Sequence, residues 1–148
     1  MCCRRTKKEG AQSLGRSRGG FSTKIHLATE ALGNAVRFIL TSGERHDITQ
    51  AEPLIENLYA DYVMADKGYD AQAFVLKLKK RDSEAIIASR SNHKEQRLID
   101  EHLYQERHLI ENQIGKLEHL RRVFSRFDKL AKKYLSFIHL ASTVVWLR

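Results

Sequence analysis

Tyr62-Val63-Met64-Ala65-Asp66-Lys67-Gly68-Tyr69-Asp70 joins four consecutive apolar residues to an abrupt break of acid, base and glycine. The apolar run is too short for a helix and predicts a strand buried on both faces. Asp66 then stands at the strand's C-terminal end, the edge where open α/β sheets gather ligands. An Asp-x-Gly step is also ordinary turn chemistry. The local pattern alone leaves both readings open.

Upstream of this stretch, Phe21, Thr23, Ile25 and Leu27 alternate with Ser22, Lys24 and His26, which is strand period. Gly33-Asn34 is a hairpin signal, and Val36, Phe38 and Leu40 alternate again after it. An antiparallel pair over 21–29 and 35–41 follows. Asp47 with Gln50 resembles a capping box, predicting a helix over 48–59 with Pro53 in its early turns. Downstream, a helix is expected over 71–81, a strand over 84–88 and a polar loop over 89–99. Leu103, Ile110, Leu117 and Phe124 recur every seven residues, predicting one long helix over 100–127. A last helix is expected over 129–146, with Trp146 in the core. The order ββ-α-β-α-β-α-α is a mixed α/β fold.

At 148 residues the chain suits one domain. Apolar residues at 42% and charged residues at 30% support a packed core and argue against wholesale disorder. Cys2 and Cys3, the two cysteines, offer neither a disulfide framework nor a CxxC metal pair. The stretch from Leu135 to Leu147 is too short to span a bilayer and reads as a buried core helix. No membrane partner is expected, and the localisation expected is cytoplasmic, associated with the nucleoid.

The net charge of +8 is concentrated. Arg4, Arg5, Lys7, Lys8, Arg16 and Arg18 against Glu9 give +5 over residues 1–20, which read as a basic flexible arm. Lys116, Arg121, Arg122, Arg126, Lys129, Lys132 and Lys133 against Glu118 and Asp128 give +5 over residues 115–133. Two basic zones around a slightly acidic middle are the footprint of a protein that meets nucleic acid. Arg16, Arg18, Lys67, Lys116, Arg121, Arg122, Arg126 and Lys129 are the expected DNA contacts. Phe124, Phe127, Tyr134 and Phe137 interleave with these bases, and helical spacing assigns most of them to the core.

Tyr104, Arg107 and Glu111 follow one another at steps of three and four, so one helix face carries all three. Glu111 is read either as a surface partner of Arg107 or as an acid beside a metal. Asp66 and Glu111 together supply part of a Mg²⁺ site, since Mg²⁺ takes a few carboxylates, waters and substrate phosphates. A two-metal phosphodiester site usually needs a third acid. Asp70 is the nearest candidate, and Asp47 is better used as a cap. The seven histidines show no HxxxH pair and read as structural.

Together these segments suggest a family. Gly15-Arg16-Ser17-Arg18-Gly19-Gly20-Phe21-Ser22-Thr23-Lys24-Ile25-His26, Asp66-Lys67-Gly68-Tyr69-Asp70, Arg90-Ser91-Asn92, Tyr104-x2-Arg107-x3-Glu111 and the closing Val145-Trp146-Leu147-Arg148 come in one order. In that order they resemble the C-terminal portion of bacterial insertion-sequence DDE transposases of the Y-x2-R-x3-E-x6-K subgroup. The resemblance covers about residues 10–148. It implies a ribonuclease H-like mixed sheet with flanking helices, here lacking the first strand, so that residues 21–148 form a partial catalytic domain. It implies DNA cleavage and strand transfer with Mg²⁺ or Mn²⁺, Asp66 and Glu111 as metal-ligating catalytic acids, and Tyr104 and Arg107 as their companions. It implies DNA as partner, with an upstream transposase part and a second copy of the chain as candidate protein partners. The family's first catalytic Asp falls upstream of this sequence. Glu118 stands where the signature has Lys, and Gln113 where an apolar residue is usual. Strand cleavage by the chain alone is therefore expected to be negligible. The alternative is a non-catalytic DNA-binding or regulatory remnant.

Overall fold

The computed structural model of the chain describes residues 12–17, 20–90 and 96–147. Three strands, β1 (Gly15–Ser17), β2 (Gly20–Thr29) and β3 (Ala35–Ser42), form an antiparallel sheet in that order. The β2–β3 register pairs Ile25 with Leu40 and Leu27 with Phe38, so these four apolar side chains share one face. Lys24, His26 and Thr41 take the other. The turn closes with the Glu30 carbonyl accepting from Gly33, whose φ of +84° is costly for a residue carrying a Cβ.

A short helix α1 (Ala51–Ile55) leads to β4 (Tyr62–Ala65), α2 (Gln72–Lys79) and β5 (Glu84–Ile87). β4 and β5 pair in parallel across the α2 crossover. Helices α3 (Glu101–Gln105), α4 (His108–Glu118), α5 (Arg121–Phe124) and α6 (Ala131–Trp146) complete the chain. The mixed α/β class expected from the sequence is observed. Instead of one mixed sheet, the described strands form separate three-stranded and two-stranded sheets.

Two cores hold these layers. Phe38, Leu117, Val123, Tyr134, Ile138 and Ala141 pack the hairpin's apolar face against α4, α5 and α6. Ala51, Phe74, Leu78 and Ile87 pack α1 and α2 onto the parallel pair. Each fully buried Leu or Ile here contributes roughly 1.5–3 kcal/mol from burial.

Several expectations need correction. The helix expected over 48–59 is a 3-10 turn (Asp47–Gln50) followed by α1, and Asp47 caps neither. Its carboxylate pairs instead with Lys24 at 2.9 Å. α1 ends early because Asn57 takes a left-handed φ of 58°, and Arg37 of β3 donates to the carbonyls of Pro53, Leu54 and Glu56. β4 is half-buried, with Tyr62 exposed, because its sheet has two strands. The single helix expected over 100–127 is broken at Glu106–Arg107 and again at Leu120, whose backbone is extended. α6 is amphipathic, not wholly buried: Tyr134, Ile138 and Ala141 face the core, while Leu140, Val144 and Trp146 are exposed. Among the described residues no helix is long and apolar enough to cross a membrane.

Residues 12–17 do not behave as part of a free arm. Arg16 of β1 pairs with Phe21, Thr23 Oγ1 donates to the Ser13 carbonyl at 2.6 Å, and Gln12 Oε1 accepts from the Ala131 amide at 2.9 Å. Arg18, Cys2, Cys3, Ser91 and Asn92 lie outside the described residues.

Candidate active site and nucleic-acid interface

Asp66 sits where the sequence places it, at the C-terminal end of β4. It is the N-cap of a 3-10 turn (Lys67–Tyr69), its Oδ1 accepting from the Gly68 amide. A Cβ at Gly68 would lie 2.9 Å from Asp66 Oδ1 and 3.1 Å from Asp47 Oδ2. The glycine therefore lets two carboxylates approach one turn. Asp66 is exposed, as an acid that meets a ligand must be.

The turn is held from three sides. Arg90 follows β5 and lays its guanidinium on the carbonyls of Lys67 and Gly68, at 3.0 and 3.1 Å. Asp70 is buried, accepts from the Arg90 amide at 2.8 Å and pairs with Arg97. On the hairpin side, His26 is buried between Thr41 Oγ1 at 2.8 Å and the Tyr69 hydroxyl at 3.1 Å. Burial lowers the His26 pKa, with Asp47 opposing and Lys24 adding to the shift. Burial, then the Asp47 and Asp66 charges, push the Tyr69 phenol up to about 12. Both groups are neutral near pH 7 and serve as hydrogen-bonding links. Asp70, the sequence's nearest third acid, is thus committed to structure.

Tyr104, Arg107 and Glu111 do come together, although a helix break falls between them. Arg107 pairs with Glu111 at 2.9 Å and lies 5.4 Å over the Tyr104 ring. The steps of three and four survive because the break at Glu106–Arg107 keeps helical backbone angles.

Among the described residues Asp66 and Glu111 share no hydrogen bond or ion pair; Glu111 pairs with Arg107. Asp66 lies at the open end of the β2–β3 hairpin, beside Asp47 and Lys24, and Lys24 pairs with Thr41. α4 starts at the closed end, where Leu109 Cβ lies 3.2 Å from a Cβ built on Gly33. Among the described residues no three His, Cys, Asp or Glu side chains gather to hold a metal ion. Among the described residues the acids do not by themselves make a divalent-metal site.

The basic residues divide into two sets. Arg16, Lys67, Lys116, Arg121 and Lys129 are exposed. Arg122 makes two hydrogen bonds to Asp128, at 3.1 and 2.9 Å, and lies 4.8 Å over the Phe137 ring. Arg126 donates to the carbonyls of Gln12, Ser13, Asp128 and Lys129 and to Thr23 Oγ1. Burial lowers its pKa. Arg126 is thus held by acceptors within the chain, which the sequence reading of it as a DNA contact did not anticipate. Arg122 is largely occupied as well. Sequence reasoning had no signal for these assignments, because a basic run does not say which guanidiniums find internal carbonyls.

A family model described as "Transposase DDE domain" matches residues 3–142. The chain belongs to the DDE transposase family. It is 36% identical over 132 residues to a putative insertion-sequence transposase of Brucella ovis, covering 86% of this chain and 99% of that protein. It is 29% identical over 153 residues to a putative insertion-sequence transposase of Burkholderia cepacia, covering 93% of this chain and 68% of that protein. No solved structure matches. DDE transposases act on DNA and generally use a divalent metal.

Proposed function

We propose that this chain is the C-terminal part of a transposase catalytic domain that cuts and joins DNA, with Asp66 and Glu111 as two of its catalytic acids. The observation that carries this reading is Asp66 itself. It is an exposed carboxylate at a strand's C-terminal end, turned by Gly68 and braced by Arg90, His26 and Asp70. Its turn is supported by the buried His26 of β2 through Tyr69, by the exposed Arg90 after β5, and by the buried Asp70 that closes the turn.

The third acid comes from an upstream segment. Among the described residues β4 pairs with β5 alone, and β2 from Thr23 to Thr29 pairs with β3 alone. Each strand keeps one unpaired edge, the kind of edge that invites another strand. A strand entering there would join the two sheets and supply the missing Asp. Without it the chain cleaves negligibly. Tyr104 and Arg107 position Glu111. Arg16, Lys67, Lys116, Arg121 and Lys129 contact DNA phosphates.

A nicking assay on element-end DNA with Mg²⁺ or Mn²⁺ tests this, with and without an upstream part carrying the Asp-bearing strand. Activity only with that part, abolished by Asp66→Ala or Glu111→Ala, supports the reading. Full activity of the double variant sinks it. A second reading, DNA binding without catalysis, is favoured by the ion pair that commits Glu111 to Arg107 on its own helix. Inactivity in both arms, with salt-sensitive DNA binding by folded protein, would establish it.

A further inference from the structure

We propose that Phe124 and Phe127 form a stacking platform for unpaired bases of single-stranded DNA. This rests on the DNA-binding reading above and gives it a substrate form. The heptad spacing places Phe124 in the core, yet it is 74% exposed, and Phe127 is 65% exposed. The core positions beside them are taken by Leu117, Val123 and Tyr134. Phe124 lines a hollow of about 320 Å³ between the hairpin and α4, together with Ile25, Ile114, Leu117 and Glu118. The Arg121 guanidinium lies 5.9 Å from the Phe127 ring centroid.

The segment bearing these rings is short but fixed. Arg122 bridges to Asp128, Arg126 binds the carbonyls of Asp128 and Lys129, and the Tyr134 hydroxyl donates to the Val123 carbonyl at 2.6 Å. The rings are presented on a braced backbone, so little ordering opposes their use.

Charge selects the partner. Lys116, Arg121, Lys129, Lys132 and Lys133 are exposed over 116–133, Asp128 is paired with Arg122, and with Glu118 counted the stretch stays strongly positive. A second copy of the chain would bring the same positive charge to this face. An unpaired strand brings phosphates for the bases and π faces for the rings. Duplex DNA buries its base faces and offers the phosphates alone.

The test is fluorescence anisotropy with a labelled 20-nucleotide oligothymidylate and a hairpin duplex of similar charge, using the full chain. Phe124→Ala/Phe127→Ala should weaken single-strand binding by about tenfold or more. It should change duplex affinity less than twofold and leave the salt dependence of both unaltered. Phe124→Tyr/Phe127→Tyr should retain single-strand affinity, and 2-aminopurine in the strand should be quenched by wild type but not by the alanine variant. Equal losses on both DNAs, or no loss on either, with the thermal midpoint unchanged, would overturn the platform and leave the DNA-binding reading intact. So would self-association that the alanine variant abolishes, which would assign the rings to a second copy. Absence of wild-type binding to either DNA would overturn the platform and the DNA-binding reading together.

Discussion

Replacing Arg126 by Met separates its two readings, phosphate ligand and internal clamp. The guanidinium meets five acceptors: Thr23 Oγ1 at 2.5 Å, Gln12 O at 2.8 Å, Asp128 O at 2.9 Å, and Ser13 O and Lys129 O at 3.2 Å. Hydrogen bonds from a charged donor are worth about 1.5–3 kcal/mol each when buried. The site is partly open and freed carbonyls regain water, so a total loss of about 3 kcal/mol is expected. Domains of this size are stable by about 5–15 kcal/mol, which makes the loss substantial. At about 3 °C per kcal/mol the melting midpoint should fall by about 10 °C. Circular dichroism melting reads this directly, and hydrogen exchange should show lost protection around residues 12–17 and 20–23. In DNA titrations the slope of log affinity against log salt should be unchanged by Arg126→Met. Lys129→Gln should reduce it by about 0.9, or about 0.7 on a single strand. A midpoint within 2 °C of wild type, together with a salt slope reduced as in Lys129→Gln, would refute the clamp.

Three further outcomes are expected. Asp70→Asn leaves Arg97 without its partner at a side chain that is 0% exposed, and should cost about 3 kcal/mol, read as a lower urea midpoint. Gly68→Ala drives a Cβ into the Asp66 and Asp47 carboxylates, so nicking by the completed transposase should drop about tenfold or more while the melting midpoint moves less than that of Asp70→Asn. His26 has its pKa lowered by burial, so the unfolded chain takes up its proton first on acidification. Its contribution to stability is full above the ordinary pKa of 6.5 and is lost as pH falls from there toward the lowered value. Urea midpoints at pH 7.5 and 5.5 should differ more for wild type than for His26→Gln, and equal differences would remove His26 from the account.

Much of the architecture was legible because it rests on short-range rules. Alternation over 21–29 and 36–40 with Gly33 between them marks a hairpin, and the observed strands differ from the expected bounds by a residue or less. The strand–helix–strand from Tyr62 to Ile87 follows from an apolar run, a glycine break and a helical pattern. The supports of the acid turn were not legible. His26, Asp47 and Arg90 lie 40, 19 and 24 residues from Asp66 in the chain. Asp47 has the spacing of a cap, and a local rule cannot see that Lys24 arrives from another strand.

The sequence by itself determined the class of fold, the family, the position of Asp66 at a strand end and the polyanion-seeking charge. These properties follow from residue type and spacing along the chain, which folding does not change. Only the tertiary structure decided which charges remain free. It tied Arg126 to internal carbonyls, paired Arg122 with Asp128, and buried Asp70 beside Arg97. It also turned Phe124 and Phe127 out of the core. Partner choice among charged and aromatic groups is set by distance in space and competition for burial, and a linear pattern specifies neither.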